Sequence, residues 1–265
     1  TMSYAPITVR IRKFALSKHF SRGVSAVIGF FVLWQFGSMG LLPFLHAIPT
    51  PITVAGSFWE FMQEFSFWRS WLDSTIRVSY GFVAAQILGI PIGLGMGWSR
   101  KFKDFSYPLF ELLRPIPPLA WVPVSILFWP TNLTSIAFIT FIGAFFTIVV
   151  NVLSGVNSIP KEYINAAVSF GASPRQIFWR IALPATIPSI ITGMMVGIGI
   201  TWNVVIAAEM IAGNTGLGRL TWEAYLAGHT PGILVGMISI GIAGYVSSMA
   251  VKVIGDSLMP WKKLF

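Results

Sequence analysis

An all-α, polytopic membrane protein is the fold class this sequence predicts, and three observations predict it. Of 265 residues, 55% are hydrophobic and 10% charged, where a soluble domain carries about 25% charged residues. The apolar residues gather into six runs close to the ~20 residues a helix needs to cross the hydrocarbon core. The basic residues behind the formal net charge of +9 fall between those runs, as membrane topology signals do, and this argues against a nucleic-acid partner. The chain has no cysteine, which excludes disulfides, iron–sulfur clusters and thiol chemistry.

Residues 1–23 form a basic arm with Arg10, Arg12, Lys13, Lys18 and Arg22. Thr1, ahead of Met2, is read as an addition and set aside. A single transmembrane domain follows over 24–258, with spans expected at 24–44, 71–98, 107–129, 135–156, within 186–211, and at 233–254. A short tail, 259–265, closes the chain. Six spans put both termini on one side of the membrane. Fourteen of the eighteen Lys and Arg residues share that side: five in the arm, three after span two, three after span four and three toward the C-terminus. The positive-inside rule makes it the cytoplasm. A cleaved signal peptide is a poorer reading of span one, which is long and lacks a small-residue cleavage site.

Two segments on the opposite side are more than turns. Residues 46–69 (HAIPTPITVAGSFWEFMQEFSFWR) read as an amphipathic helix lying in the interface after a proline-rich turn. Residues 213–231 include GNTGLGRL, a glycine-rich loop of similar length.

The loop over 158–176 carries the densest local signals. Pro160 suits a first helical turn, and Glu162 complements the helix dipole there. Tyr163, Ala166, Ala167 and Phe170 follow i, i+3, i+4, i+7 spacing and share a face. Gly171 is the expected stop. Ser173-Pro174-Arg175-Gln176 then reads as a capping box that starts a new helix. The product is a short helix joined rigidly to the next one, with small residues that let another surface approach. It either docks a partner protein or rests on lipid headgroups.

The spacing A-A-x3-G-x9-I-x-L-P, here Ala166-Ala167, Gly171, Ile181 and Leu183-Pro184, resembles the EAA signature of ABC-importer permeases. LRPIPPLAWVP (113–123) and VIAAEMIAGNTGLG (205–218) are similar to the subfamily that imports nitrate, bicarbonate, taurine and alkanesulfonates. The look of WNVVIAAEM and of the final span favours nitrate or bicarbonate. The resemblance implies a type I ABC-importer permease of the bacterial inner membrane. It implies a second permease copy, two ABC ATPase subunits and an extracytoplasmic binding protein as partners. ATP and Mg would be bound by the ATPase subunits and not by this chain. The short helix would be the coupling helix, using Glu162, Asn165, Ala166, Ala167, Phe170, Gly171, Ser173 and Pro174. Asn165 stands where the family has a glutamate, which removes a possible ion pair with the ATPase.

Candidates for the translocation path lie in spans three and five. Pro115, Pro117, Pro118 and Pro123 cannot continue a regular helix, and irregular backbone at membrane depth is buried in protein or lines a cavity. Arg114 costs about 2.5–3.5 kcal/mol to insert, so it pairs, with Glu111 one turn earlier, or faces water and draws anions in. Trp121, Trp202, Asn203 and Met210 are lining or gate candidates, although such residues in spans commonly pack. Glu209, the acid of span five, either contacts the path or pairs with a basic residue of a neighbouring helix. Gly89, Gly93 and Gly97, and Gly193 and Gly197, recur at the four-residue spacing that permits close helix approach.

Other functions fit less well. GLGMG (93–97) lies inside a span without a following Lys-Ser/Thr, so it is no nucleotide loop. His19, His46 and His229 are far apart, and paired catalytic groups are missing, which argues against an enzyme. A transporter or channel acting alone would show inverted repeats and coupling acids, for which only Glu111 and Glu209 are available.

Overall fold

The computed structural model describes residues 18–41 and 48–259, and every regular element among them is helical. Helix α1 (Lys18–Phe36) runs into a π turn, Gly37–Leu41. Then come α2 (Pro51–Gln63), α3 (Phe65–Trp98) and α4 (Arg100–Leu113). A 3-10 turn at Pro118–Trp121 leads into the short α5 (Val122–Phe128), followed by α6 (Asn132–Asn157) and α7 (Lys161–Ser169). The chain continues through α8 (Pro174–Ala212), α9 (Leu217–Leu226) and α10 (Thr230–Ser257). Among the described residues, α3, α6, α8 and α10 are long and apolar enough to cross a membrane.

Expected spans two, four, five and six fall on α3, α6, α8 and α10 with shifted ends. Span one, expected over 24–44, falls on α1 and the π turn and runs past the described residues. Two segments need correction. Span three is not one helix: α4 stops at Leu113, and the prolines hand the chain to the 3-10 turn before α5 begins. The loop basics Arg100, Lys101 and Lys103 form the first turn of α4, capped by the Ser99 side chain. Residues 46–69 do not form one interfacial helix either. Among those described, α2 ends at Glu64, whose extended backbone (φ −90°, ψ 131°) separates it from α3. Phe67, 1% exposed, anchors that junction, and Val54, Phe58 and Phe61 of α2 pack on it and on Val235 of α10. Most of the basic arm, residues 1–17, and the tail beyond Met259 lie outside the described residues; α1 already begins at Lys18.

Helix α6 is the most buried of the four spans and lies between α3 and α8. Its contact with α3 is made by glycines: Gly81 meets Thr140, Gly89 Ile148, Gly93 Val152 and Gly97 Val156. The pairs advance together in steps of four or eight along both helices, so α3 and α6 run parallel. On its other side, Gly193 sits on Asn151 and Gly155 on Ser189, an antiparallel match with α8. A Cβ on Gly93 would lie 2.7 Å from that of Val152. Gly93→Leu is therefore expected to push α3 off α6 at about 1–3 kcal/mol. A fall of several degrees in the melting temperature of the detergent-solubilised protein checks it; an unchanged melt would contradict this packing.

Candidate functional site

At one end of the bundle α7 stands clear of the core. None of its residues is buried; Tyr163 is 62% exposed, and Phe170, which caps its end, 92%. Glu162, Asn165 and Ala166 are exposed as well, and Ala167 is half-buried. The inward side is held by Ile164, which joins a small cluster with Val156, Ile159, Phe178 and Ala182.

The joint after α7 is fixed by hydrogen bonds. Gly171 has φ +76°, its N–H donates to the Val168 carbonyl (2.9 Å), and Ala172 N–H donates to the Ala167 carbonyl (3.0 Å). This is a Schellman stop, which glycine satisfies without strain from a Cβ. Two residues on, Gln176 Oε1 accepts from Ser173 N–H at 2.8 Å while Ser173 Oγ accepts from Gln176 N–H at 3.4 Å. That is the capping box read from the sequence, with Pro174 at the first helical position. The new helix is continuous to Ala212 but for a π turn at Phe178–Ala182. Single π turns of this kind collect at functional sites.

At the opposite end, two membrane-depth charges meet. Arg77 of α3 is 6% exposed and Glu209 of α8 is fully buried; Nη1 of the arginine donates to Oε1 of the carboxylate at 2.6 Å. The same Nη1 donates to the Thr215 carbonyl (2.6 Å), and Nη2 donates to Thr215 Oγ1 (3.0 Å). Ser74 Oγ lies 2.8–2.9 Å from both carboxylate oxygens and accepts from Leu217 N–H at 2.8 Å. Gly218 N–H donates to Oε2 at 2.9 Å. The glycine-rich loop is thus tied down on the carboxylate. Gly216 (φ +116°) holds a backbone conformation open essentially to glycine alone, and a Cβ there would collide with the Glu209 carboxylate.

The other path candidates scatter. Trp202 is buried, its indole N–H donating to Ser247 Oγ of α10 at 3.1 Å. Asn203 is exposed and Met210 half-buried. Pro117 is exposed and caps the 3-10 turn, and Trp121 is half-buried with its indole N–H unpartnered among the described residues. Arg114 caps the end of α4 and lines a groove of about 460 Å³ with Ile116, Pro118, Thr147, Asn151 and Ile200. Its Nη2 lies 3.5 Å from Glu111 Oε1. Of the named candidates the groove brings in only Arg114 and Pro118; Thr147 and Asn151 beside them gave no signal in the sequence beyond being polar residues in an apolar span.

These features define a class: a helical membrane protein that presents one short, fixed helix beyond its bundle. Residues 89–263 match the family described as binding-protein-dependent transport system inner membrane component, and the chain belongs to that family. It is 32% identical over 257 residues to the nitrate import permease protein NrtB of Leptolyngbya laminosa, covering 92% of this chain and 91% of that protein. Identity is 31% over 237 residues to the taurine transport system permease protein TauC of Escherichia coli, covering 87% and 85%. It is 32% over 235 residues to the bicarbonate transport system permease protein CmpB of Synechococcus elongatus, covering 83% of each. Among solved structures, the inward-facing MetNI methionine ABC transporter superposes with a TM-score of 0.58 at 21% identity, over 73% of this chain and 94% of that one. The fold is that of a type I ABC-importer permease.

Proposed function

We propose that this chain is the permease subunit of an ATP-driven importer for a small anion, nitrate or bicarbonate before taurine or an alkanesulfonate. The observation that carries the reading is α7: an exposed helix locked by a Schellman stop and a capping box to the 39-residue α8. A helix so fixed transmits force from whatever grips it. The grip is assigned to an ATPase subunit through Tyr163, Ala166 and Phe170, with Asn165 offering an amide where an acid would form an ion pair. The named relatives, permeases for nitrate, taurine and bicarbonate, support the substrate class.

In this reading two copies pair about a two-fold axis in the bacterial inner membrane, with both termini cytoplasmic. The path runs between the copies, past Arg114, Pro117, Trp121, Asn203 and Met210. Trp202 and Glu209 are structural, because both are buried with bonded partners. Closure of the ATPase dimer on ATP and Mg draws the two α7 helices together and opens the path toward the binding protein. The chain itself holds no nucleotide and performs no hydrolysis.

Reconstitution tests it. The purified permease with its ATPase should take up a labelled anion into vesicles only with ATP and the binding protein. Deleting residues 159–171 should abolish ATPase co-purification and uptake together. Uptake by the permease alone would refute the proposal.

A further inference from the structure

The groove beside Arg114 has one charged lining residue. Its other walls are Ile116, Pro118, Ile142, Phe146, Val150, Val196 and Ile200, relieved by the polar Thr147 and Asn151 of α6. Asn151 Nδ2 donates to the Thr147 carbonyl at 2.8 Å, a bond that uses one of the two amide hydrogens and steadies the side chain. An apolar groove with one guanidinium, one hydroxyl and one amide has the donors for a small oxyanion.

The guanidinium is weakly held. Its contact with Glu111 is a single 3.5 Å approach between side chains 44% and 38% exposed, at i,i+3 on the end of α4. Exposed pairs of this kind contribute little, because water screens them and holding two long side chains together costs entropy. Glu111 is not part of the groove lining, so it holds Arg114 from outside. Contrast Arg77, whose guanidinium is committed to Glu209 and Thr215 by bonds of 2.6–3.0 Å. Arg77 is fastened, and Arg114 is free to change partner.

We infer that the Arg114 groove is an oxyanion subsite, and that the arriving anion displaces Glu111 from Arg114 to occupy it. Thr147 and Asn151 complete the donor set on the α6 side. The carboxylate is a resident competitor that keeps the site neutral when empty and yields to cargo. The inference rests on the small-anion import reading, of which it names the subsite, and it separates from a purely structural pair by sign. Losing either partner of a structural pair harms the same property. Here the two losses act in opposite directions.

The test uses nitrate as the probe on the full-length, detergent-solubilised permease, with gluconate replaced by nitrate at constant ionic strength. A ligand at free concentration L that binds the folded state stabilises it by RT ln(1 + L/Kd), so the concentration dependence of the melting temperature gives Kd. The parent protein is expected to show such a rise. Glu111→Gln should lower the nitrate Kd about two- to five-fold, the range an exposed pair supports. Arg114→Gln should abolish the rise, and Arg114→Lys should retain a weakened one, since a point charge replaces a planar fork. The inference is overturned if Glu111→Gln and Arg114→Gln shift Kd the same way, or if Arg114→Gln leaves it unchanged. Failure of the import reading shows differently: a nitrate-dependent rise in the parent with no ATP-dependent uptake by the reconstituted complex.

Discussion

Arg77→Met is expected to destabilise the protein by about 3–5 kcal/mol, because it leaves the Glu209 carboxylate buried without its cation. The loss should appear as a large drop in melting temperature and in the yield of folded, detergent-solubilised protein. The paired change Arg77→Met with Glu209→Leu removes both charges, and replacing a buried ion pair by apolar side chains is often close to neutral. Recovery will be partial. Glu209 also accepts from Gly218 N–H and Ser74, and a buried donor left without an acceptor costs about 1–3 kcal/mol. Melting curves for the parent, single and double variants decide the matter. A single variant as stable as the parent, or a double variant no better than the single, would contradict the role given to this pair.

Gly171→Leu should separate ATP hydrolysis from transport. A residue with a Cβ costs roughly 1–2 kcal/mol in the left-handed conformation that Gly171 holds at φ +76°. A Cβ there meets no atom within 4 Å, so the strain stays in the turn and the bundle keeps its fold. The expected outcome is a complex that assembles and hydrolyses ATP while uptake per ATP falls several-fold. Gly171→Asn, whose side chain tolerates this backbone region, should stay close to the parent. Normal coupling in the leucine variant would mean that the angle between α7 and α8 is not what transmits the stroke.

The parts of this molecule that were legible from sequence are those whose signals are local. Ser173 to Gln176 is a three-residue interval, and Ala167 to Ala172 a five-residue one, so the capping box and the helix stop could be read directly. The four-residue glycine spacing was also legible, because its consequence is a stripe on one helix whatever the partner. The Arg77–Glu209 bond spans 132 positions, and Glu209 alone left its partner open. One signal was available: charges of opposite sign within apolar spans must be satisfied, and Arg77 is one of the few cations within the expected spans that could satisfy Glu209. The helix expected over 46–69 failed for a tertiary reason. Phe67 belongs to the core of the next helix, and burying its ring there breaks the chain at Glu64. The proline-rich stretch after Leu113 announced irregular backbone, but not that Arg114 would share a groove with Thr147 and Asn151 of α6, a placement that only the packed bundle creates.

The glycine seams of α6 have a consequence for how such a protein can move. Where side chains are absent, two backbones sit close along their whole length, and sliding or tilting one against the other would open voids that no nearby side chain can fill. Helices α3, α6 and α8 therefore behave as one plank, stiff in every direction that matters to a gate. The plank carries the exposed helix α7 at one edge and the fastened glycine loop at the other. In the proposed importer a push at α7 would tilt the whole board at once, and compliance would belong to the pieces bolted loosely to it, α1 and the 3-10 turn beside Arg114.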